Sequence, residues 1–325
     1  MKLFRVMISI LFTMCILNTE KIKVEARTSQ FSMDAILPEN QINTNKTYFD
    51  LLVKPGITQN ISILLTNRTN DRLPLSIDIT TAVTNNHGVI DYTSTQNNFD
   101  SSLLYPLSEL IRLEDKMITL EAKEQRKINL SIVIPKKSFE GIILGGIYVK
   151  PFKTTKVNNI EIQQAMVKAI SLRMNEKKVP YNIKLIDKQI GEIGNRKFFQ
   201  VNIQNTQPVI MNDIIINARI FDKNGRTVLE NESKNIQMAP NSNFYYGLPL
   251  KQGDFKKNGE YTVQINVKHV NEIWSFEEEF SVNTLIGNNN KAREVIKDEF
   301  RINQIILLGI VILMIVIFLI RIIWF

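Results

Sequence analysis

Residues able to do chemistry are scarce in this chain, and their spacing argues against most of it. There are two histidines in 325 residues, His87 and His269, and one cysteine, Cys15. Neither histidine has a second ligand at the spacing a metal site uses, so zinc chemistry finds no support and no metal or cofactor is expected. The densest acidic run, Glu277-Glu278-Glu279, offers carboxylates for hydrolysis,. Period-two alternation turns Glu278 away from its neighbours, and charges of this kind also protect an edge strand. Gly141, Gly145 and Gly146 lack the helix and lysine that a phosphate loop requires, because Ile147-Tyr148-Val149-Lys150 continues as strand,. They are read as a bulge or a close approach of backbones between sheets. No catalytic residue is assigned, and the chain is expected not to be an enzyme. Aromatic contact remains. Tyr48, Tyr92, Tyr105 and Trp274 are candidate binding aromatics, since flat rings stack on sugars or anchor a partner while their polar tips tolerate water,. Trp274 shares a face with Phe276 and Phe280, which favours a core position, whereas Tyr92, just past a turn, fits either.

The elements that must hold these rings are strands. Leu73, Leu75, Ile77, Ile79, Thr81 and Val83 alternate with mostly polar neighbours, as do Ile128 to Ile134, Phe199 to Ile203 and Tyr261 to Val267,. Pro55-Gly56, Asn85 to Gly88, Asp222 to Gly225 and Asn258-Gly259 supply turns between them,. The pattern occurs twice: Ile61 to Asn67 is echoed by Val201 to Asn205, each followed by a strand and a glycine turn. The first copy carries an extra stretch, Phe99 to Lys116, with Leu103, Leu104, Leu107, Leu110 and Ile111 at helical spacing. The fold is therefore expected to be all-β, two tandem immunoglobulin-like β-sandwiches over 31–152 and 160–285, divided in the polar stretch Lys153 to Ile160.

Both ends are apolar. Lys2 and Arg5 precede Val6 to Leu17, a run too short to span ~30 Å of hydrocarbon, and Val24-Glu25-Ala26 presents small residues for cleavage,. A signal peptide over 1–26, cut after Ala26, is expected. Bulky Phe12-Thr13-Met14 argues against Cys15 as a lipid acceptor. Residues 305–325 would rise about 31 Å as a helix, enough for one crossing. The basic residues Lys291, Arg293, Lys297 and Arg301 precede this helix and Arg321 lies within it, a bias opposed to the usual orientation rule,. A cleavable leader overrides that bias. The expected arrangement is a single-pass cell-membrane protein with a charged juxtamembrane stalk over 288–304 and its domains outside, in the wall.

The net charge of +8 suits a surface rich in anionic polymer,. Lysines and arginines are dispersed rather than gathered in an aromatic-lined groove, so no nucleic-acid partner is expected.

The residues resemble a known family. Tyr48-Phe49-Asp50-Leu51 with Pro55-Gly56, then Ala82-Val83-Thr84-Asn85 with Gly88, Ile90 and Tyr92, then Phe139 to Ile147 are similar to the first domain of the WxL-interacting proteins of low-GC Gram-positive bacteria. Asn202 to Pro208, Ala239-Pro240-Asn241-Ser242 and the strand around Trp274 match the second domain more loosely. The family often ends in a basic cluster, where this chain has only Arg321. The resemblance implies binding of peptidoglycan by the first domain and of host proteins by the second, with secreted WxL-type proteins as partners. A chaperone-like role, in which a sheet edge accepts a strand from a secreted partner, is the alternative.

Overall fold

Strict alternation builds the first sandwich. In β3 (Thr58–Asn67), Ile61, Ile63 and Leu65 are buried while Ser62, Leu64 and Thr66 are only half-buried, because successive side chains leave a strand on opposite faces. A computed structural model describes residues 29–282, apart from 153–154, 158–159, 163, 195 and 257–258. The expected leader, stalk and membrane helix (1–26, 288–304 and 305–325) lie outside the described residues. Among the described residues no helix is long and apolar enough to cross a membrane.

Strands β1 (Phe31–Ile36), β3, β9 (Gln125–Val133) and β7 (Ile111–Arg112) lie side by side in one sheet. Facing it, β2 (Phe49–Leu52), β13 (Met166–Arg173), β10 (Ile143–Pro151), β4 (Leu73–Thr81) and β8 (Met117–Leu120) form a five-stranded sheet. Phe31, Phe49, Ile63, Leu75, Ile132 and Ile147 are sealed between the two, each worth about 1.5–3 kcal/mol of burial. Here β2 and β13 run parallel, with Phe49 opposite Ile170 and Leu52 opposite Arg173, whereas β10 flanks β13 antiparallel on its other side.

The polar stretch Lys153 to Ile160, where the division between domains is expected, holds a small hairpin, β11 (Thr155–Val157) with β12 (Ile160–Ile162). The chain then returns through β13 to the five-stranded sheet, with Ile170 and Leu172 in the first core, and leaves only after Arg173. A polar hairpin excursion within one domain breaks the apolar pattern as a linker would. The expected helical stretch is also shorter than its spacing suggests. Only α1 (Leu107–Leu110) is helical, with Pro106 at its cap. Proline disfavours a helical residue before it, so the turn cannot extend back, and Leu104 is 77% exposed.

The second sandwich sets β14 (Ile183–Ile193), β15 (Arg196–Asn205) and β18 (Ser242–Pro249) against β17 (Thr227–Met238), β16 (Met211–Asp222), β19 (Glu260–His269) and β20 (Glu272–Ser281). Phe199, Ile203, Ile216 and Ile265 are buried between them. Rings of Phe199 and Phe280 lie 4.6 Å apart and those of Phe255 and Tyr261 4.7 Å apart, so aromatic packing closes one end of this core.

The sequence echo ending at Asn67 and Asn205 is one device used twice. Each asparagine is fully buried. Asn67 Nδ2 donates to the carbonyls of Asp71 and Glu121, both at 2.8 Å, while its Oδ1 accepts from the Thr69 amide at 2.9 Å. Asn205 Nδ2 donates to the carbonyls of Val209 at 2.8 Å and Ala239 at 2.9 Å, and its Oδ1 accepts from the Gln207 amide at 3.1 Å. In each domain the side chain ties the loop after a strand to the facing sheet and supplies partners for its backbone groups.

Candidate binding faces

Alternation sends Phe49 and Leu51 into the first core and leaves Tyr48 and Asp50 for the outer face of the five-stranded sheet. The floor beside them is low, because Gly146 stands opposite Ala169 on one side and Thr80 on the other. Thr80 Oγ1 donates to the Tyr92 carbonyl at 2.5 Å and so fastens the chain at Tyr92 over this floor. Lys46 Nζ donates to the Tyr48 hydroxyl at 2.5 Å and lies 4.9 Å from that ring's centre. The bond to Tyr48 is the main cause that holds the ammonium above its ordinary range. Burial raises the Tyr92 phenol, and the nearby Tyr48 adds to that. Both rings remain half-buried. A side chain of the same sheet face, Tyr148, carries Lys150 Nζ 5.1 Å from its ring centre, with Asp78 3.8 Å from the same ammonium. The result is a shallow face with tyrosines, lysines and a small-residue floor, suited to stacking and hydrogen bonding rather than to enclosing a ligand.

At one end of this face the buried pair Asp50 and Arg173 is joined at 2.7 Å, with side-chain exposures of 7% and 25%. At the other, Tyr92 packs with Ile90, Ile142 and Ile210 around Ala82, Leu144 and Ala239. This apolar cluster takes residues from both sandwiches.

A hairpin of the first domain, β5 (Val83–Thr84) with β6 (Ile90–Asp91), reaches the edges of β17 and β18. Thr84 Oγ1 accepts from the Ala239 amide at 3.0 Å and contacts Ser242 Oγ at 2.5 Å; Ser242 Oγ donates to the Ala239 carbonyl at 2.8 Å. The three bonds close only if Thr84 donates to Ser242. Gln237 N donates to the Gly88 carbonyl at 2.7 Å and Ile142 N to the Pro208 carbonyl at 2.7 Å. Gly88, at φ +66°, has room for no Cβ against Ile236, and Gly141, at φ +72°, has none against the Pro208 carbonyl.

Asp100 adds a third tie across the junction. Its carboxylate accepts from Gln204 Nε2 at 2.7 Å, Asn243 Nδ2 at 2.5 Å and the Ser102 amide at 2.8 Å. Burial pushes this carboxyl up, but the bonds from Ser102, Asn243 and Gln204 outweigh it and hold the group below its ordinary range. A depressed native value means the contribution to stability is full above the ordinary aspartate range and fades as pH falls through the native value. Asp100→Asn is therefore expected to remove part of the acid-side decline in stability while lowering stability at neutral pH. Chemical unfolding between acidic and neutral pH checks this; parallel curves for the two proteins would refute it.

Of the four aromatics, Tyr48 and Tyr92 are brought together, while Tyr105 and Trp274, half-buried like them, pack beside the two cores. Tyr105 packs against the first core, its ring 6.2 Å from that of Phe139. Trp274 packs on the second core with Phe276, as the alternation along β20 requires. His87 sits in the exposed hairpin turn. His269 is 4% exposed, its ring edge-on to Tyr181 at 4.2 Å, and burial lowers its pKa against the opposing pull of Glu272, Asp213 and the Asn212 backbone. It lines a cleft of about 360 Å³ with Tyr181, Asp213 and Lys268. Glu278 faces inward to an ion pair with Lys188, while Glu277 accepts from Gln264 at 2.7 Å. No group of three or more His, Cys, Asp or Glu among the described residues is arranged to hold a metal. Gly145 is a close-approach glycine, though within one sheet rather than between sheets: a Cβ there would lie 2.1 Å from the Thr80 carbonyl oxygen of the neighbouring strand β4. Tyr148 and the Asp100 tie escaped the sequence reading. Strand alternation signals Tyr148; nothing local signals Asp100.

Two family models match the chain. Residues 31–151 match the WxL Interacting Protein, peptidoglycan binding domain, and residues 155–291 match the WxL Interacting Protein, host binding domain. Their division falls at the β11–β12 hairpin, ahead of the change in packing after Arg173. No curated protein matches. Among solved structures, the PapD-like domain 7 of human CEP192 aligns at 12% identity over 50% of this chain and 97% of that one, with a TM-score of 0.30. The Salmonella enterica SafA pilin in complex with the SafB chaperone aligns at 11% identity over 79% and 99%, TM-score 0.30. The Acinetobacter baumannii CsuC-CsuE chaperone-tip adhesion subunit complex aligns at 11% over 68% and 91%, TM-score 0.32. At these TM-scores the likenesses carry nothing about function.

Proposed function

Because this chain belongs to the WxL-interacting protein family, we propose that it is a membrane-anchored, non-catalytic binding protein of the cell surface. In this reading the first sandwich grips peptidoglycan, the second binds host proteins, and a WxL-type surface protein is a further partner. The leader and the apolar tail carry the anchoring part. The observation that carries the rest is the pairing of a peptidoglycan-binding and a host-binding family match in one chain. The Tyr48–Tyr92 face supports the first half, since it offers stacking rings and hydrogen-bonding tips on an exposed sheet. Weak contacts made by two domains on one anchored chain reinforce each other, because each confines the other near its ligand.

Retention of the purified full-length chain on washed peptidoglycan sacculi tests the reading. Tyr48→Ala combined with Tyr92→Ala is expected to weaken retention roughly tenfold, in line with loss of one or two aromatic anchors, and Tyr48→Ala alone to weaken it while leaving the junction cluster around Tyr92 intact. Unchanged retention would remove these rings from the binding face, and a wild-type chain that is not retained would remove the peptidoglycan role itself.

A second reading, strand addition, rests on β9. It is paired with β3 from Gln125 to Val133, but on its other side β7 covers only Ser131 and Ile132. The backbone from Gln125 to Leu130 thus lies along an edge where a partner strand fits. Proline at Lys127 would block such addition and leave retention on sacculi intact.

A further inference from the structure

Beside the Asp100 tie, the junction of the two sandwiches holds a cleft of about 120 Å³. Its walls come from both domains, the loop before α1 on one side and the start of β18 on the other. We propose that this cleft, walled by Gln96, Asn98, Phe99, Asp100, Asn241 and Asn243, is a subsite for one neutral sugar ring bearing hydroxyl and acetamide groups.

The chemistry of the lining selects that ligand. Planar amides and carboxylates present a donor and an acceptor, or two acceptors, in fixed orientation, which matches neighbouring hydroxyls on a pyranose. The aromatic ring of Phe99 is a partner for the sugar's C–H face, which packs on the flat side of such rings,. No lysine or arginine lines the cleft, and the Asp100 carboxylate repels anions, so a phosphate-rich wall polymer is disfavoured here despite the net charge of +8. The inner wall is preorganised. Asn243 is held on Asp100 at 2.5 Å, and Asn241 Nδ2 donates to the Thr206 carbonyl at 3.0 Å and to Ser102 Oγ at 3.2 Å. Asn241 takes up this position at φ +47°, a left-handed conformation that asparagine tolerates better than most residues. At the mouth, by contrast, Gln96 and Asn98 are exposed, with their amides available to a ligand. A rigid inner wall with adaptable amides at the rim keeps low the ordering cost of binding a polar ring.

This assignment rests on the peptidoglycan reading and narrows it to the glycan rather than the peptide. The test titrates the full-length chain with N-acetylchitotetraose, following side-chain amide resonances, and measures retention on sacculi in parallel. Wild type is expected to bind the tetrasaccharide, with the Asn98 and Gln96 amide signals shifting, and Q96A/N98A to bind it roughly tenfold more weakly, as loss of one or two hydrogen bonds predicts. These are exposed loop positions, so the unfolding transition should not move. If wild type is retained on sacculi yet ignores the tetrasaccharide, or binds it as well after Q96A/N98A, the subsite is overturned and the peptidoglycan reading stands. If sacculi fail to retain wild type while tetrasaccharide binding is lost in Q96A/N98A, the subsite stands and the peptidoglycan reading falls.

Discussion

Asn205→Ala is expected to destabilise the second sandwich by about 3–4 kcal/mol, because it removes three hydrogen bonds to the backbone,, and Asn67→Ala the first by less, because its carbonyl partners belong to the exposed residues Asp71 and Glu121. The Asn205 side chain is fully buried, as is Ala239, whose carbonyl it serves. Burial keeps water from replacing the bond to the Ala239 carbonyl, and the half-buried Val209 carbonyl and Gln207 amide lose their partner as well. Asn205→Asp should be no better at neutral pH, since it keeps an acceptor where donors are needed and adds a buried charge. Urea unfolding, followed by the fluorescence of Trp274 for the second sandwich, reads the effect; a loss below about 1 kcal/mol would show that the loop relaxes and finds other partners.

Gly145→Ala should be at least as damaging, costing about 3 kcal/mol or more, near the top of what overpacking does. The added Cβ meets the Thr80 carbonyl oxygen at 2.1 Å and Leu107 Cδ2 at 2.6 Å. A side chain can turn away, but Thr80 is held in the β4–β10 ladder, where Gly146 stands opposite it. Relief therefore means opening the ladder. Gly146→Ala supplies the contrast, since its nearest obstruction is Val167 Cγ1 at 3.1 Å, a side chain that can give. Hydrogen exchange along β10 should accelerate strongly in the first variant and little in the second. Equal protection in both would refute the argument.

Much of the architecture was legible because its cause is local. Period-two patterning names the strands of both cores, and the repeated asparagine after Ile61 to Leu65 and Val201 to Ile203 marks the same staple in each domain. Alternation also puts Trp274 on the face of β20 that carries Phe276 and Phe280. Two features have causes that the local pattern does not contain. The polar stretch at 155–162 folds as a hairpin, and only strand pairing shows that β13 after it joins the five-stranded sheet of the first sandwich. Leucines at helical spacing after Phe99 serve loop packing and a single turn, because Pro106 stops the helix from starting earlier,.

The candidate site was less legible than the fold. Tyr48 and Tyr92 share a face only because Thr80 draws the Tyr92 backbone over Gly146. Asp100 finds Gln204 and Asn243 at separations of 104 and 143 residues, distances at which composition and periodicity are silent. Surface recognition here depends on such long-range assembly, whereas core formation depends mainly on nearest-neighbour pattern.

The interior position of β13 has a mechanical meaning. The chain leaves the first sandwich at Arg173, from a strand bonded on both sides, with β10 antiparallel and β2 parallel. Tension applied through the second sandwich while the first is held fast pulls β13 along its own length, so the hydrogen bonds on both flanks bear load together in shear instead of opening one after another. An exit through an edge strand would have peeled under drag; this one must slip as a block.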